Sequence, residues 1–284
     1  MLLRNHHRPL LVSCPMNEAI LQLGLLDDEA IQLDAGALEL AALDHPDINL
    51  RRYVALLSEM TARLAEVGDD AVSAQAQATA LTRIIADEYG FAGDRQTYDD
   101  ADNADLVRVI DRRLGLPVSL AILYVAAARR VGWSADALNT PGHVLVRLGP
   151  HTAPVLIDPF NRGAVVETAQ LIGLLSQMLG RHTTPTPEHI APMANRAVLV
   201  RLLMNQATRA EASGDRGRAL MLYRRMTMVS PATGHAWWER ARLELWEGDV
   251  PAARASLSAM LEITRDADLR MQISATLDSL AGAR

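Results

Sequence analysis

Apolar residues between positions 17 and 87 recur close to every 3.6 residues. "NEAILQLGLL" and "GALELAALDHP" place them on one helical face, and "RRYVALLSEMTARLAEVG" is a full amphipathic helix ended by Gly68. "SAQAQATALTRIIADEYGFAG" continues the period, and the acidic "DRQTYDDADNAD" then predicts a solvated loop capping a helix over Ala104–Leu114. A further helix is predicted over 117–131. Pro117 stands near its first position, where a missing N–H is no loss. Leu120, Leu123, Tyr124, Ala127 and Val131 form one buried stripe, and Arg129 and Arg130 suit the negative end of the helix dipole. The pattern then turns to strands. "HVLVRL" and "VLIDPF" are short β-branched runs separated by the turn residues "GPHTAP", which predicts an antiparallel hairpin.

The tail repeats itself. "GDRGRALMLYRRM" begins at Gly214 and "GDVPAARASLSAM" at Gly248, an offset of 34 residues. At that offset Ala219 matches Ala253, Tyr223 matches Leu257, Met226 matches Met260 and Ala207 matches Ala241. Thirty-four residues is the period of the tetratricopeptide helix–turn–helix unit. The Gly-Asp pairs fit the turns, where left-handed backbone and side-chain capping are needed. "LRMQISATLDSLAGA" is a candidate capping helix. Two repeats fall short of the about three that stand alone, so the tail is expected to pack on what precedes it. Trp237 and Trp238 are adjacent on one helix, so at least one is expected in the core.

Composition narrows the function. Net charge is −6, with 14 arginines against 23 acids over residues 1–180 and 14 against 11 over 181–284, so nucleic acid is not an expected partner. Lysine is absent, which removes Schiff-base chemistry. The single cysteine, Cys14, allows no intrachain disulfide and fits a reducing compartment. No apolar run approaches the ~20 residues of a membrane span. "RPLLVSC" faintly resembles a lipoprotein cleavage box, but its apolar run is short and interrupted upstream, so a cytoplasmic location is expected. Asp100 and Asp102 lack the glycine and glutamate of a calcium-binding loop. No other metal or cofactor pattern is present.

Two residues carry candidate chemistry. His143 stands at the start of the first predicted strand and Asp158 at the end of the second. Antiparallel pairing brings them alongside, and a carboxylate on one imidazole nitrogen fixes the tautomer, as in the supporting half of a nucleophile–His–Asp triad. Such a pair can equally be a structural hydrogen bond tying two strands. It is two ligands short of a metal site.

"YDDADNADLVRVIDRRLGLPVSLAILYVAAARRVGW", "NTPGHVLVRL" and "LIDPFNRG" together resemble the bacterial invasion-gene up-regulator family (Sir B type), whose members join a transglutaminase-like, papain-related core to a tetratricopeptide tail. The resemblance spans about residues 40–180 and implies an α+β, mostly helical fold. It implies three regions: N-terminal helices over 1–95, the transglutaminase-like core over 96–185 and helical repeats over 186–284. Active transglutaminase-like domains open the helix with a cysteine, with an Arg and a Gly 12 and 15 residues later. Counting back from Arg129 and Gly132 puts that position at Pro117, and the family's alanine four residues on is Ala121. Proline has no reactive atom, and the resemblance implies that it is the usual residue here in the up-regulator family.

Ser119 is the nearest replacement. At about 100° per residue it points roughly 160° away from Pro117, and its ordinary role is a hydroxyl bonded to nearby backbone. The leading expectation is a non-catalytic protein with a regulatory or protein-interaction role and a protein or peptide partner met by residues 190–284. One alternative is an amide or peptide hydrolase, or an acyltransferase, with His143 as base, Asp158 as its orienter and Ser119 or water as nucleophile. Another is a small-ligand sensor using the vacated cleft.

Overall fold

Helices dominate the chain, and the computed structural model describes residues 15–150, 152–179 and 186–282. Cys14 and the rest of "RPLLVSC" lie outside the described residues. Four helices lead: α1 (Pro15–Leu25), α2 (Leu33–Ala42), α3 (Arg51–Val67) and α4 (Ala74–Leu81), the last running into a π-helical turn over Thr82–Glu88. Strand β1 (Ala92–Gly93), helix α5 (Leu106–Arg112), strand β2 (Leu114–Gly115) and helix α6 (Pro117–Arg130) follow. Next come β3 (Ala135–Leu138), β4 (Leu145–Leu148), β5 (Val155–Asp158), β6 (Ala164–Val165) and α7 (Thr168–Leu179). The tail comprises α8 (Asn195–Ala212), α9 (Arg216–Val229), α10 (Gly234–Trp246), α11 (Val250–Ile263) and α12 (Ala267–Gly282). Among the described residues no helix is long and apolar enough to cross a membrane.

The hairpin forms as β4 against β5, with Val146 opposite Ile157. It is the middle of an antiparallel sheet ordered β3-β4-β5-β6. The outer strands carry weak local signals: β3 is "ADAL", with no β-branched residue, and β6 is two residues long. Pairing with β4 makes β3 a strand (Ala137 faces Val146), an instance of tertiary context overriding propensity. The helix expected over Ala104–Leu114 is trimmed to α5, because Asp105 caps it by accepting from the Val107 and Arg108 amides. Asp100 caps the 3₁₀ turn just before it.

The expected single stripe on α6 is corrected. All twelve residues from Pro117 to Ala128 are buried, so no face meets water. Helices α2, α3 and α8 pack around α6 together with β3 and β4. Its alanines let those neighbours approach closely. Tyr124 is fully buried there, and its hydroxyl has no partner among the described residues. Burial pushes that phenol well above its usual range. Gly163, at φ +74°, explains the crowding: a Cβ there would sit 2.8 Å from the Tyr124 hydroxyl. Tyr124→Phe removes an unmet donor, so it is expected to leave stability unchanged or raise it by up to about 1 kcal/mol. A loss above 1 kcal/mol in urea denaturation would show that the hydroxyl does have a partner.

In the tail, Gly214 and Gly248 both adopt positive φ (+83° and +82°). Asp215 and Asp249, 34 residues apart, each cap the following helix by accepting an amide N–H. Helices α8 and α9 share the main core, contributing Leu199, Leu203, Tyr223 and Met226. Ala241, Ala253, Leu257, Met260 and Ile273 form a second cluster between α10, α11 and α12. Trp237 packs half-buried against that cluster and Trp238 is exposed.

Candidate functional site

The turn before β4 and the end of β5 bring His143 and Asp158 together. His143 lies two residues ahead of β4, in a turn where its amide donates to the Thr140 carbonyl. Its Nε2 is 2.9 Å from Asp158 Oδ1, and the two side chains are 12% and 15% exposed. The same carboxylate oxygen accepts the Phe160 and Asn161 amides, so Asp158 is fixed by its own turn before it orients the imidazole. Phe160 meets the His143 ring edge-to-face at 6.0 Å, and Tyr98 meets Phe160 likewise at 5.7 Å. No hydrogen bond engages His143 Nδ1 among the described residues.

Pro117 opens α6 and, with His143, lines a crevice of about 20 Å³. That holds about one water. Tyr98, Gly142, Arg201 and Asn205 close the rest of it. Tyr98 is carried by a loop that Asp94 organises, accepting from the Gln96 and Thr97 amides, the Thr97 hydroxyl and Arg112. Burial alone would raise the Asp94 pKa; the bonds from Thr97, Gln96 and Asn103 outweigh it and hold it at about 2.

Ser119 is fully buried, and its hydroxyl donates to the Asn103 carbonyl at 2.7 Å. The bond is not local, since it reaches sixteen residues back. It ties α6 to the turn before α5, and no hydrogen bond joins Ser119 to His143 among the described residues. The structure therefore brings His143, Asp158 and Pro117 together and leaves Ser119 elsewhere.

Sequence reasoning expected helix in the tail but missed the part that α8 plays beside the site. Arg201 donates to the His143 carbonyl at 2.7 Å and the Thr140 carbonyl at 2.9 Å. Gln206 donates to the Ala104 carbonyl, and Arg209 donates to the Tyr98 carbonyl. The helix thus packs against the candidate site, and its Arg201 and Asn205 line the crevice. Nothing local in "NRAVLVRLLMNQATRAEA" marks these residues, because their partners lie some 60 to 110 positions upstream.

The model of the transglutaminase-like superfamily matches residues 51–204, which includes the first half of α8. A UPF0162 protein of Xylella fastidiosa is 30% identical over 246 residues, covering 85% of this chain and 87% of that protein. A UPF0162 protein of Vibrio cholerae is 30% identical over 62% of this chain and 66% of its own length. The F-box only protein 21 of Homo sapiens is 29% identical over 113 residues, which are 37% of this chain and 17% of that protein. The match through the cleft residues, and the near full-length similarity to the Xylella protein, place the chain by descent: it belongs to the transglutaminase-like superfamily and, within it, to the UPF0162 proteins.

Proposed function

We propose that this chain is a non-catalytic transglutaminase-like protein that works by binding another protein. One observation carries the reading: the residue sharing the crevice with His143 is Pro117, which offers neither thiol nor hydroxyl. The crevice takes about one water, which favours this reading over a small-molecule sensor. On this reading the His143–Asp158 bond is structural, pinning the turn before β4 to the end of β5. The repeated Gly-Asp turns support a tetratricopeptide-like tail, an architecture that presents binding surface. In the F-box protein the matching stretch is a small part of a much longer chain, in keeping with a module put to use in different settings. A regulatory role in the cytoplasm fits the same reading.

The test has two arms. The full chain and His143→Ala are assayed against peptide and ester libraries, and neither is expected to turn over substrate; hydrolysis that vanishes in His143→Ala would restore the rival hydrolase, with crevice water as nucleophile. Photo-crosslinking in cells from Trp246, 62% exposed on the tail, is expected to capture a discrete partner. The same crosslinks from Val72, exposed far from the tail helices in sequence, would remove the binding role.

Closure of the cleft makes a separate prediction. In a Cys14→Ser, His143→Gln background, which removes imidazole activation of the new thiol, Pro117→Cys is expected to fold, and its thiol to react with iodoacetamide at least ~10-fold more slowly than a Val72→Cys thiol. Equal rates would mean that α8 does not seal the site.

A further inference from the structure

We propose that a trough beside α8 binds a carboxylate-bearing apolar segment of a partner protein, with Arg201 as the anchoring cation. The inference rests on the protein-binding reading and names what is recognised. The trough holds about 750 Å³ and is open to solvent rather than enclosed. Met193, Val200 and Met204 give it an apolar floor, and Arg201 and Asn139 are polar groups on its wall.

Arg201 is the trough cation that also reaches the candidate site, through the His143 carbonyl. Its guanidinium donates to Asn139 Oδ1 at 2.9 Å, to the Thr140 carbonyl at 2.9 Å and to the His143 carbonyl at 2.7 Å. All three are neutral oxygens, and no carboxylate pairs with it among the described residues. Arg209, Arg218, Arg224, Arg225, Arg240 and Arg242 each have a carboxylate partner. Burial weakens the hold of Arg201 on its proton, as expected for a cation without a counter-ion. A carboxylate arriving there makes a charge-assisted hydrogen bond to a half-buried guanidinium.

Arg196 adds a second cation on the trough, donating to the Leu23, Leu26 and Val229 carbonyls. Two acids also line it. Asp28 is occupied by the Asn195 and Arg196 amides, while Glu29 is exposed. The incoming carboxylate is therefore assigned to the Arg201 end. The occupant assigned is a stretch with acidic and apolar side chains alternating, the acid set against Arg201 and the apolar side chains against Met193, Val200 and Met204.

The experiment uses the full-length chain and a fluorescein-labelled nine-residue peptide of alternating leucine and glutamate, blocked at both ends, read by fluorescence polarisation. The glutamine version of the peptide is expected to bind at least ~10-fold more weakly, and Arg201→Gln to weaken the glutamate peptide by a similar factor. Should Arg201→Gln fail to fold, Ala197→Glu introduces a repelling carboxylate at an exposed position on the trough and is expected to weaken binding likewise. Arg254→Gln, exposed on α11, is expected to leave binding unchanged. Equal affinity for the two peptides, no binding of either at about millimolar concentration, or equal loss in Arg254→Gln would each overturn the assignment. A failed peptide assay alongside a discrete crosslink from Trp246 removes only the trough; loss of both removes the protein-binding reading as well.

Discussion

Asp44→Ala is expected to destabilise the folded chain by about 3 kcal/mol at neutral pH, because it strips the counter-ion from two arginines at once. Asp44 follows α2, and its carboxylate receives Arg225 through two bonds of 2.8 Å. Arg218 donates to the same carboxylate and also to Gln206 on α8. The Asp44 and Arg225 side chains are 15% and 9% exposed, so truncating the acid leaves a buried cation unpaired. This is the polar bolt between the leading helices and α9. Urea denaturation at pH 7 measures it, and a loss below 1 kcal/mol would mean that the three groups are better solvated than their burial indicates.

The same carboxylate gives the chain an acid dependence of definite sign. Burial alone would raise the Asp44 pKa, but the Arg218 and Arg225 hydrogen bonds outweigh it and hold it at about 2. In the unfolded chain an aspartate titrates near ~3.9. A depressed carboxylate contributes stability that is complete above the unfolded value and is lost as pH falls through the folded one. About 2 kcal/mol of the wild type's stability is therefore expected to disappear between about pH 5 and pH 2 on account of Asp44. Thermal melts of wild type and Asp44→Ala should converge over that window. Parallel curves would show that Asp44 does not titrate with folding.

Leu120→Ala is expected to cost about 2–5 kcal/mol, the range for a fully buried leucine whose neighbours cannot collapse into the space. Leu120 is 0% exposed on a helix buried on every side, and it packs near Gly115 of β2. Trp246→Ala, a larger truncation, should cost well under 1 kcal/mol, because Trp246 is exposed and, among cations of the described residues, stacks only under the Arg216 guanidinium. Denaturant midpoints of the two variants measure the contrast. Comparable losses would mean that the tail tip and α6 contribute alike to one cooperative core.

Local chemistry made much of this readable. Pro117 and the basic pair Arg129-Arg130 bound α6 because each fits one end of a helix, whatever surrounds it. Turn residues between two β-branched runs imposed the hairpin, and the hairpin then brought His143 beside Asp158. The angular argument on Ser119 needed only the helical repeat; the bond its hydroxyl makes, to the Asn103 carbonyl, comes from tertiary packing. Strands β3 and β6 were not readable, since "ADAL" and a two-residue strand owe their form to the neighbours they pair with. Nor was the all-round burial of α6, because the helical period marks only the stripe of Leu120, Leu123, Tyr124, Ala127 and Val131 and says nothing of which elements cover the remaining faces.

The sequence by itself determined the helix that carries Pro117, the hairpin that pairs His143 with Asp158 and the period of the tail, because each follows from backbone preferences within a few dozen residues. Tertiary structure alone decided that α8 packs beside the crevice, that Ser119 serves Asn103, and that Arg201 lines a trough while bonding only neutral oxygens among the described residues. Those outcomes depend on which buried carbonyls and carboxylates the fold brings near each donor. A guanidinium takes whatever oxygen lies within about 3 Å, and that distance is fixed by packing, not by position along the chain.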